Sequence, residues 1–243
     1  MNELTDIAPG TLIAVHLNYR SRAAERGRTP SAPSYFLKPP TTVSVSDVEV
    51  VRPLGCGLLA YEGEIALLMG DTPANVDQRD AWRHVQAVTA ANDFGVYDLR
   101  YADPGSNVHS KGWSGFTPVG PRLLTAAGID PQTLRVRTWL DSELVQDADQ
   151  DDMIFGPEYV IADLSRVLRI RRGDLILLGT PTGSSVALPG QTVEVEVNAG
   201  ELSTGRLTRT VTEGTVPIPA VGALPRNDHD ARTAAFGERG GNR

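Results

Sequence analysis

The 243-residue sequence contains one cysteine, Cys56. A single thiol excludes an internal disulfide framework and a zinc site made of several thiolates. Positive charge is also scarce, because 23 Lys and Arg residues stand against 30 Asp and Glu, for a net charge of −7. Nucleic-acid binding requires Lys and Arg clustered over a whole face, so this composition argues against a nucleic-acid partner.

Long apolar runs are missing as well. No segment approaches the roughly 18 apolar residues that span a bilayer, and residues 1–10 lack the basic and apolar regions of a signal peptide. We therefore expect a cytoplasmic protein that has no membrane partner. The remaining composition, 40% hydrophobic and 22% charged, is that of an ordinary globular protein.

Two carboxylates interrupt the apolar stretch Leu58–Gly70. Glu62 and Glu64 flank Gly63, and side chains two residues apart on a strand point to the same face. Like charges on one face repel each other unless a cation lies between them, so the pattern predicts half of a divalent metal site. The alternative is a solvent-facing acidic edge, because a Glu-x-Glu motif alone has little specificity. Gly63 indicates a close approach by backbone or ligand.

Asp93 is the natural third ligand. It lies near the end of Ala87–Phe94, a run of small and apolar residues. A carboxylate at the end of such a buried-looking run is unusual, because carboxylates normally stay outside. The alternative interpretation is a turn residue that ends a strand.

The basic segment 18–34 is predicted to form a lid. Four arginines lie between Arg20 and Arg28, and Pro30 and Pro33 break the residues that follow. A basic lid over an acidic metal site suits a small polyanionic ligand. A solvated arginine-rich loop is the alternative.

Two later segments carry further candidates. Residues 97–115 are predicted to form a long loop, a class that is usually functional or disordered, and Lys111 in it is a candidate substrate-facing cation. A surface lysine is the alternative. The segment 179–183, GTPTG, lacks the Lys-Ser/Thr of a P-loop, although Thr180 and nearby backbone N–H groups are suited to binding a carboxylate.

Strands dominate the second half of the chain, and Leu134–Leu140 alternates most strictly. Pro157–Leu168 is the strongest helix prediction, with proline at its start and an acid in the first turn. Residues 11–224 are expected to form one domain after an extension, 1–10. The polar tail 225–243 is expected to be poorly ordered.

An ordered series of motifs resembles the fumarylacetoacetate hydrolase family. The blocks are Asn18-Tyr19, Ser34-Tyr35-Phe36-Leu37-Lys38-Pro39, Tyr61-Glu62-Gly63-Glu64, Ala91-Asn92-Asp93, Lys111 with Gly115-Phe116-Thr117-Pro118-Val119-Gly120, Arg137-Thr138-Trp139, Asp152-Met153-Ile154-Phe155, Gly173-Asp174 and Gly179-Thr180-Pro181. Together they extend over residues 11–213, and their number and order argue against chance agreement. Within the family, the Asn-Tyr-Arg-Ser opening and the spacing of the lysine loop most resemble the isomerase/decarboxylase of homoprotocatechuate degradation.

The resemblance implies a mostly-β (α+β) fold, a rolled β-barrel or sandwich with a few short helices, and usually a homodimer. It also implies Mg²⁺ or Mn²⁺ held by Glu62, Glu64 and Asp93, with Lys111 and Thr180 facing the substrate. All-oxygen ligation suits such a hard cation and leaves coordination positions for substrate and water. The expected substrate is a small 2-oxo acid or dicarboxylate.

The predicted lid departs from the family pattern. Hydrolases and decarboxylases of the family commonly carry a histidine three residues before a glutamate there, whereas this chain has Arg22 at the histidine position and retains Glu25. Arginine stays protonated and cannot act as a general base, so hydrolysis by an activated water is in doubt. Arg22 becomes a candidate carboxylate clamp, Glu25 and Arg22 join Lys111 as candidate catalytic residues, and Tyr19 and Gln146 complete the candidate substrate-binding set.

These patterns favour a metal-dependent isomerase/decarboxylase that acts on an unsaturated 2-oxo or 2-hydroxy dicarboxylate of aromatic catabolism, through a metal-stabilised enolate. One alternative is an acylpyruvate-type C–C bond hydrolase, in which Glu25 or a metal-bound water compensates for the missing histidine. The others are a homologue that binds 2-oxo acids without turnover and an enzyme recruited for biosynthesis.

Overall fold

The computed structural model describes residues 10–45, 49–103, 105–220, 222 and 224–237. Strands predominate in these residues. In chain order they are β1 (Leu12–His16), β2 (Ser34–Lys38), β3 (Val43–Ser44), β4 (Val50–Leu54), β5 (Leu59–Ala60), β6 (Gly63–Met69), β7 (Val85–Asn92), β8 (Gly95–Val96), β9 (Thr117–Thr125), β10 (Leu134–Leu140), β11 (Glu143–Asp149), β12 (Leu175–Leu177), β13 (Thr192–Ala199), β14 (Leu202–Ser203) and β15 (Leu207–Pro217).

The helices between the strands are short. They are α1 (Arg20–Glu25), α2 (Gln78–Ala81), α3 (Val108–Lys111), α4 (Pro157–Leu164) and α5 (His229–Phe236). Single 3₁₀ turns cover Pro40–Thr42, Trp82–His84, Tyr97–Leu99, Pro131–Thr133 and Gln150–Asp152. No helix in the described ranges is long and apolar enough to cross a bilayer.

The strands form two packed sheets and a small ribbon. The larger sheet has the order β2-β1-β12-β6-β7-β9-β3, and the second has the order β11-β10-β13-β15-β4, with β14 beside β13. β5 and β8 pair separately. One hydrophobic cluster joins side chains of β6 in the first sheet to those of β10 and β13 in the second. This arrangement confirms the predicted mostly-β fold of sandwiched sheets with a few short helices.

β6 lies at the centre of the larger sheet, and all seven of its residues are buried. Ile65, Leu67 and Met69 belong to the cluster between the sheets, whereas Ala66 and Leu68 belong to a separate cluster on the opposite face. Burial on both faces explains why the sequence shows a nearly continuous apolar run instead of an alternating pattern. Only a carboxylate with a specific role is expected in such a strand.

Most predicted elements are present with shifted ends. The strand Leu134–Leu140 is confirmed residue for residue. The helix predicted over Pro157–Leu168 ends at Leu164, where the backbone changes to tighter bonds three residues back, from Arg166 N to the Asp163 carbonyl at 3.2 Å and from Val167 N to the Leu164 carbonyl at 3.1 Å. Beyond that point Val167 is 77% exposed, so no apolar face continues the helix.

The C-terminal segment differs from its prediction. Residues 229–236, expected to be poorly ordered, form α5, whose N-cap is Asp228 accepting a hydrogen bond from Ala231 N at 3.0 Å. Its small apolar face, Ala231, Ala234 and Ala235, is buried. Alanines among polar residues give a weak hydrophobic signal, although each has high helix propensity. Residues 238–243 and the predicted extension up to residue 9 lie outside the described residues.

Candidate metal and substrate site

The three predicted carboxylates converge at the junction of β6 and β7. These strands are antiparallel, with Gly63 opposite Asn92, and Asp93 N donates to the Glu62 carbonyl at 2.8 Å. Glu62 N donates in turn to Asn92 Oδ1 at 2.9 Å. The ligand oxygens of Glu62, Glu64 and Asp93 all lie within 4.8 Å of one another, and the three residues are buried. Strand pairing therefore assembles the triad from segments thirty residues apart.

Two buried lysines neutralise part of this charge. Lys111 Nζ lies 2.5 Å from Glu62 Oε2 and also pairs with Asp93 Oδ2, while Lys38 Nζ pairs with Asp93 Oδ1. Burial alone would lower the pKa of Lys111, but Asp93 and Glu62 raise it. Burial opposes the charge of Glu62 as well, and Lys111 and Arg22 nevertheless lower the pKa of that carboxyl. Lys38, Lys111 and Arg22 together balance the charges of Glu62 and Asp93 in one network of five groups.

Glu64 is the carboxylate that this network leaves without a cation. No Lys or Arg of the described residues lies within 4.0 Å of it, and its Oε2 accepts a 2.7 Å hydrogen bond from Gly179 N. Burial, with Asp93 and Glu62 nearby, raises the pKa of Glu64 well above its ordinary value. A buried carboxylate in this position requires a further positive charge to remain ionised.

The donor set fits a hard divalent cation. Oxygens of three carboxylates that lie within 4.8 Å of each other can share one ion, because bonds from oxygen to Mg²⁺, Mn²⁺ or Ca²⁺ are roughly 2.0–2.6 Å long. An ion there would supply the charge that Glu64 lacks. Oxygen-only ligation favours Mg²⁺ or Mn²⁺ over the softer metals that prefer thiolate or imidazole.

The triad opens into a cavity of about 510 Å³. The cavity is lined by Glu62, Glu64, Asp93, Lys111 and Thr180 at one end and by four arginines, Arg22, Arg26, Arg28 and Arg100, elsewhere. The cavity wall therefore carries three carboxylates at one end and four guanidinium groups elsewhere. Such a distribution suits a small anion that brings its own negative charge to the arginines.

The arginines differ in how they are held. Arg22 is buried, pairs with Glu25, and places Nη2 at 3.8 Å from Glu62 Oε1. Arg100 places its guanidinium carbon 4.8 Å from the ring centroid of Tyr97. Within the described residues, neither Arg26 nor Arg100 has a carboxylate within 4.0 Å. Their charges are therefore available to a ligand.

Helix α5 supports this basic side of the cavity. Arg26 Nη2 donates to the Ala234 carbonyl at 2.5 Å. The alanine face of the helix packs on Leu58 and Tyr97, and Tyr97 Oη donates to Glu62 Oε1. The C-terminal segment thus contacts both an arginine of the cavity and a residue that orients a candidate metal ligand.

Not every predicted site residue lines the cavity. Thr180 does, and its Oγ1 donates to the Gly63 carbonyl at 2.9 Å. Gln146 and Tyr19 do not: Gln146 is buried behind Thr180, bonded to its Oγ1 at 2.9 Å, and Tyr19 is fully buried in the core. Glu25 is also outside the lining and is paired with Arg22. These three residues support their neighbours.

Three residues of the site were missed by the sequence analysis: Tyr97 and His16, which line the cavity, and Lys38, which pairs with Asp93 outside the lining. Lys38 belongs to β2, where its burial beside Phe36 follows from alternation, but a lysine at that register position gives no signal of its own. Tyr97 and His16 come from separate segments, and nothing in their local sequence links them to the carboxylates. The β1–β2 pairing brings the strands of His16 and Lys38 together, and Tyr97 directly follows β8, which pairs with β5.

The site therefore has the features of proteins that bind a small organic anion beside a metal ion. These features are buried carboxylates on adjacent strands, a lysine in contact with them and a cavity lined by cations. The family assignment agrees with this class. The chain belongs to the fumarylacetoacetate (FAA) hydrolase C-terminal family, whose profile matches residues 11–212.

Two curated relatives are similar to this chain over most of its length. The 4-hydroxyphenylacetate degradation bifunctional isomerase/decarboxylase of Salmonella dublin is 34% identical over 194 residues, which are 78% of this chain and 45% of that protein. The corresponding Escherichia coli protein is 36% identical over 192 residues, 77% of this chain and 44% of the relative. The chain thus spans less than half the length of these curated relatives.

Solved structures share the fold. The fumarylpyruvate hydrolase of Pseudomonas aeruginosa, in complex with Mn²⁺ and pyruvate, superposes with a TM-score of 0.77 at 26% identity, covering 85% of this chain and 91% of the other. The 5-carboxymethyl-2-hydroxymuconate delta-isomerase of Mycobacterium smegmatis gives a TM-score of 0.76 at 29% identity, covering 86% and 80%. Hydrolases and isomerases therefore occur among the chain's structural neighbours.

Proposed function

We propose that this chain is a divalent-metal-dependent isomerase/decarboxylase that acts on an unsaturated 2-oxo or 2-hydroxy dicarboxylate. The observation that carries the proposal is the buried triad Glu62, Glu64 and Asp93 opening into an arginine-lined cavity. Relatives named as isomerase/decarboxylases of 4-hydroxyphenylacetate degradation support the reaction class. The homodimer and the cytoplasmic location stay predictions from the family resemblance and the composition.

Mg²⁺ or Mn²⁺ is the proposed cofactor, held by the three carboxylates. When bound, such an ion supplies a Lewis acid that favours the enolate form of a 2-oxo acid. The Mn²⁺ complex of a structural neighbour supports a divalent ion of this kind.

Lys111 and Thr180 are the proposed substrate-facing groups at this end. The Lys111 ammonium contributes positive charge beside the position where a 2-oxo acid develops negative charge. Thr180 Oγ1 donates to a backbone carbonyl and accepts from Gln146, so its hydroxyl is fixed in direction. Lys111 acts on the acid head of the substrate through its charge and Thr180 forms part of the wall beside it; neither is required to remove a proton from carbon.

The substrate's second carboxylate is assigned to the arginines. Arg26 and Arg100 are charged groups without an acidic partner among the described residues, and both line the cavity. A carboxylate between guanidinium groups gains charge-assisted hydrogen bonds. This favours a dicarboxylate over a 2-oxo monocarboxylate of the same length.

An acylpyruvate hydrolase is the second candidate. It is favoured by the likeness to fumarylpyruvate hydrolase at a TM-score of 0.77. Against it stands Arg22, which occupies the cavity wall and cannot activate water as a base. Glu25, the other lid candidate, is paired with Arg22 instead of facing the cavity.

A substrate panel separates the candidates. Purified protein with Mg²⁺ or Mn²⁺ is incubated with 2-hydroxydiene dicarboxylates, β-carboxylated 2-oxo dicarboxylates and acylpyruvates, while enol absorbance, CO₂ and pyruvate are followed together. Metal-dependent loss of enol absorbance or release of CO₂ supports the proposal. Stoichiometric pyruvate with a second acid favours the hydrolase, and binding without any turnover overturns both.

A further inference from the structure

We propose that His16 is a catalytic residue that carries a proton between two carbons of the substrate. Its imidazole Nε2 takes the proton from one carbon and returns it two carbons further along the chain. The inference rests on the proposed isomerase function and adds the proton carrier which that reaction requires.

His16 is the last residue of β1, and its side chain forms part of the cavity wall together with the carboxylate triad and Lys111. Among the described residues that line this cavity, it is the only histidine. Its ring centroid lies 4.6 Å from that of Phe36, and Lys111 Nζ lies 5.8 Å from the same Phe36 centroid. The imidazole therefore faces the space that the substrate is proposed to occupy.

Two hydrogen bonds fix the ring and its tautomer. Asn107 Nδ2 lies 2.7 Å from His16 Nε2, and an amide nitrogen can only donate, so Nε2 is assigned as the acceptor. The proton then resides on Nδ1, which lies 3.0 Å from Ser34 Oγ. The Nε2 lone pair is therefore held by the amide of Asn107, another residue of the cavity wall, and the substrate C–H must take the place of that amide when it reacts.

The charges around the ring favour the neutral form. Burial lowers the pKa of His16, and the Lys111 ammonium and Arg100 guanidinium lower it further, against the opposing effect of Glu62 and Asp93. The groups facing it from β2, Ser34 and Phe36, are uncharged. A neutral imidazole whose Nε2 lone pair exchanges the Asn107 amide for the substrate is a suitable general base at neutral pH.

The other polar groups of the wall are less suited to this task. Lys111 Nζ uses its three donors on Glu62 Oε2, Asp93 Oδ2 and the Asp93 carbonyl. Tyr97 Oη donates to Glu62, and the arginines remain protonated. The carboxylates of the triad are assigned to the metal. His16 is left as the group able to gain a proton and lose it again within one turnover.

The proposed step is balanced without a co-reactant. One C–H bond breaks, its electron pair stays on the substrate as the enolate, and the proton forms an N–H bond at Nε2, where it replaces the hydrogen bond from Asn107 Nδ2. That N–H bond then breaks as a new C–H bond forms two carbons away. Nδ1–H stays bonded to Ser34 throughout, and the imidazole returns to its starting state.

The first experiment compares His16→Asn with wild type. His84→Asn is the matched control, because His84 lies outside the cavity and its Nδ1 contacts the Asp71 carbonyl. For His16→Asn we expect kcat for ketonisation to fall about 100-fold or more, the size of a general acid–base contribution. KM and the Kd for Mn²⁺ should change less than about threefold, and added imidazole should partly restore His16→Ala.

The pH profile provides a readout that a structural role would not move. If neutral His16 is the base, wild-type kcat rises with pH through the pKa of the imidazole, and this acid limb disappears in His16→Asn. A second readout does not depend on turnover: the ¹³Cε1 signal of His16, assigned by its loss in His16→Asn, should shift when 2-oxoadipate and Mg²⁺ are added, whereas that of His84 should not.

The outcomes separate the two proposals. If wild-type protein turns over the substrate and His16→Asn keeps more than about one third of the wild-type kcat, the role of His16 is overturned. The proposed function is then left intact. A wild-type protein that turns over no member of the panel overturns the proposed function. A shift of the His16 signal on 2-oxoadipate binding would then still place the imidazole beside a 2-oxo acid, whereas the absence of any shift overturns that contact as well.

Discussion

The two sides of the cavity are built in different ways. The carboxylates lie on or directly beside β6 and β7, central strands whose residues are almost all buried. The guanidinium groups come from α1, a 3₁₀ turn and the residues after them, supported by α5 through one backbone carbonyl and a small apolar face. The difference indicates that the sheet holds the carboxylates in position. The choice of substrate depends on short peripheral elements, and substitutions there can change it without changing metal binding.

Replacing Glu64 by Gln is expected to have the largest effect. It removes the triad carboxylate that has no cation partner in the described residues. Loss of a direct ligand should weaken Mn²⁺ binding by more than about 100-fold, beyond the effect of removing an outer-shell partner. Isothermal titration with Mn²⁺ and the ketonisation assay measure the two consequences.

The control for this substitution is Glu143→Gln, at an exposed position of β11. The metal-free Glu64→Gln protein should be at least as stable as wild type in thermal unfolding, because the amide replaces a buried carboxyl group whose charge no cation balances and still offers an acceptor to Gly179 N. Unchanged Mn²⁺ affinity in Glu64→Gln would contradict the assignment of the triad as a metal site.

Gly63→Ala tests the close packing of the metal side against the second sheet. A Cβ at Gly63 would lie 1.9 Å from Thr138 Oγ1 of the second sheet, so one of the two must move. We expect a loss of about 2–3 kcal/mol in urea unfolding, the usual cost of overpacking. Thr138→Ala removes that oxygen, which has no hydrogen-bond partner, and should restore at least half of the loss. Full additivity of the two substitutions would contradict the contact.

Gly63 also shows how far the sequence could predict the site. A glycine within a strand predicted a close approach by backbone or ligand, and the structure assigns that approach to a side chain, Thr138. The identity of the partner depends on how β10 crosses β6, and this packing has no local signal. The alternation that places Glu62 beside Glu64 is local, which is why the triad could be anticipated.

The basic side was less accessible to prediction. The lid predicted for residues 18–34 stays a prediction; in that segment Tyr19 and Arg22 are buried, and Ser21 N donates to Asp152 Oδ1 at 3.0 Å. Helix α5 was missed because its contacts are made by alanines, whose burial depends on the tertiary position of Leu58 and Tyr97. Long-range pairing, unlike strand periodicity, cannot be deduced from one segment.

Removing residues 225–243 should affect the basic side selectively. The deletion exposes the surface under α5, and burial of three methyl groups corresponds to about 2 kcal/mol of stability. We expect kcat/KM for a dicarboxylate to fall about tenfold, roughly the loss of one hydrogen bond to a charged group. Mn²⁺ affinity should change less than about threefold, since the triad lies on the sheet. Removal of residues 238–243 alone is the matched control, and equal effects of both deletions would contradict a role for α5.

Arg100→Gln is expected to have the smallest effect and gives the sharpest test of the division between the two sides. Arg100 lines the cavity without an acidic partner among the described residues. If it binds the distal carboxylate, inhibition by 2-oxoadipate should weaken about tenfold, whereas inhibition by 2-oxohexanoate, which has the same length and no second carboxylate, should change less than about twofold. Tenfold corresponds to about 1.4 kcal/mol, within the range for hydrogen bonds to charged groups. Arg135→Gln, at a surface ion pair with Asp147 at 2.7 Å, should alter neither inhibitor. If Arg100→Gln weakens inhibition by both compounds equally, Arg100 contacts the acid head that the two ligands share. That result would contradict the division of the cavity into a metal side and an arginine side.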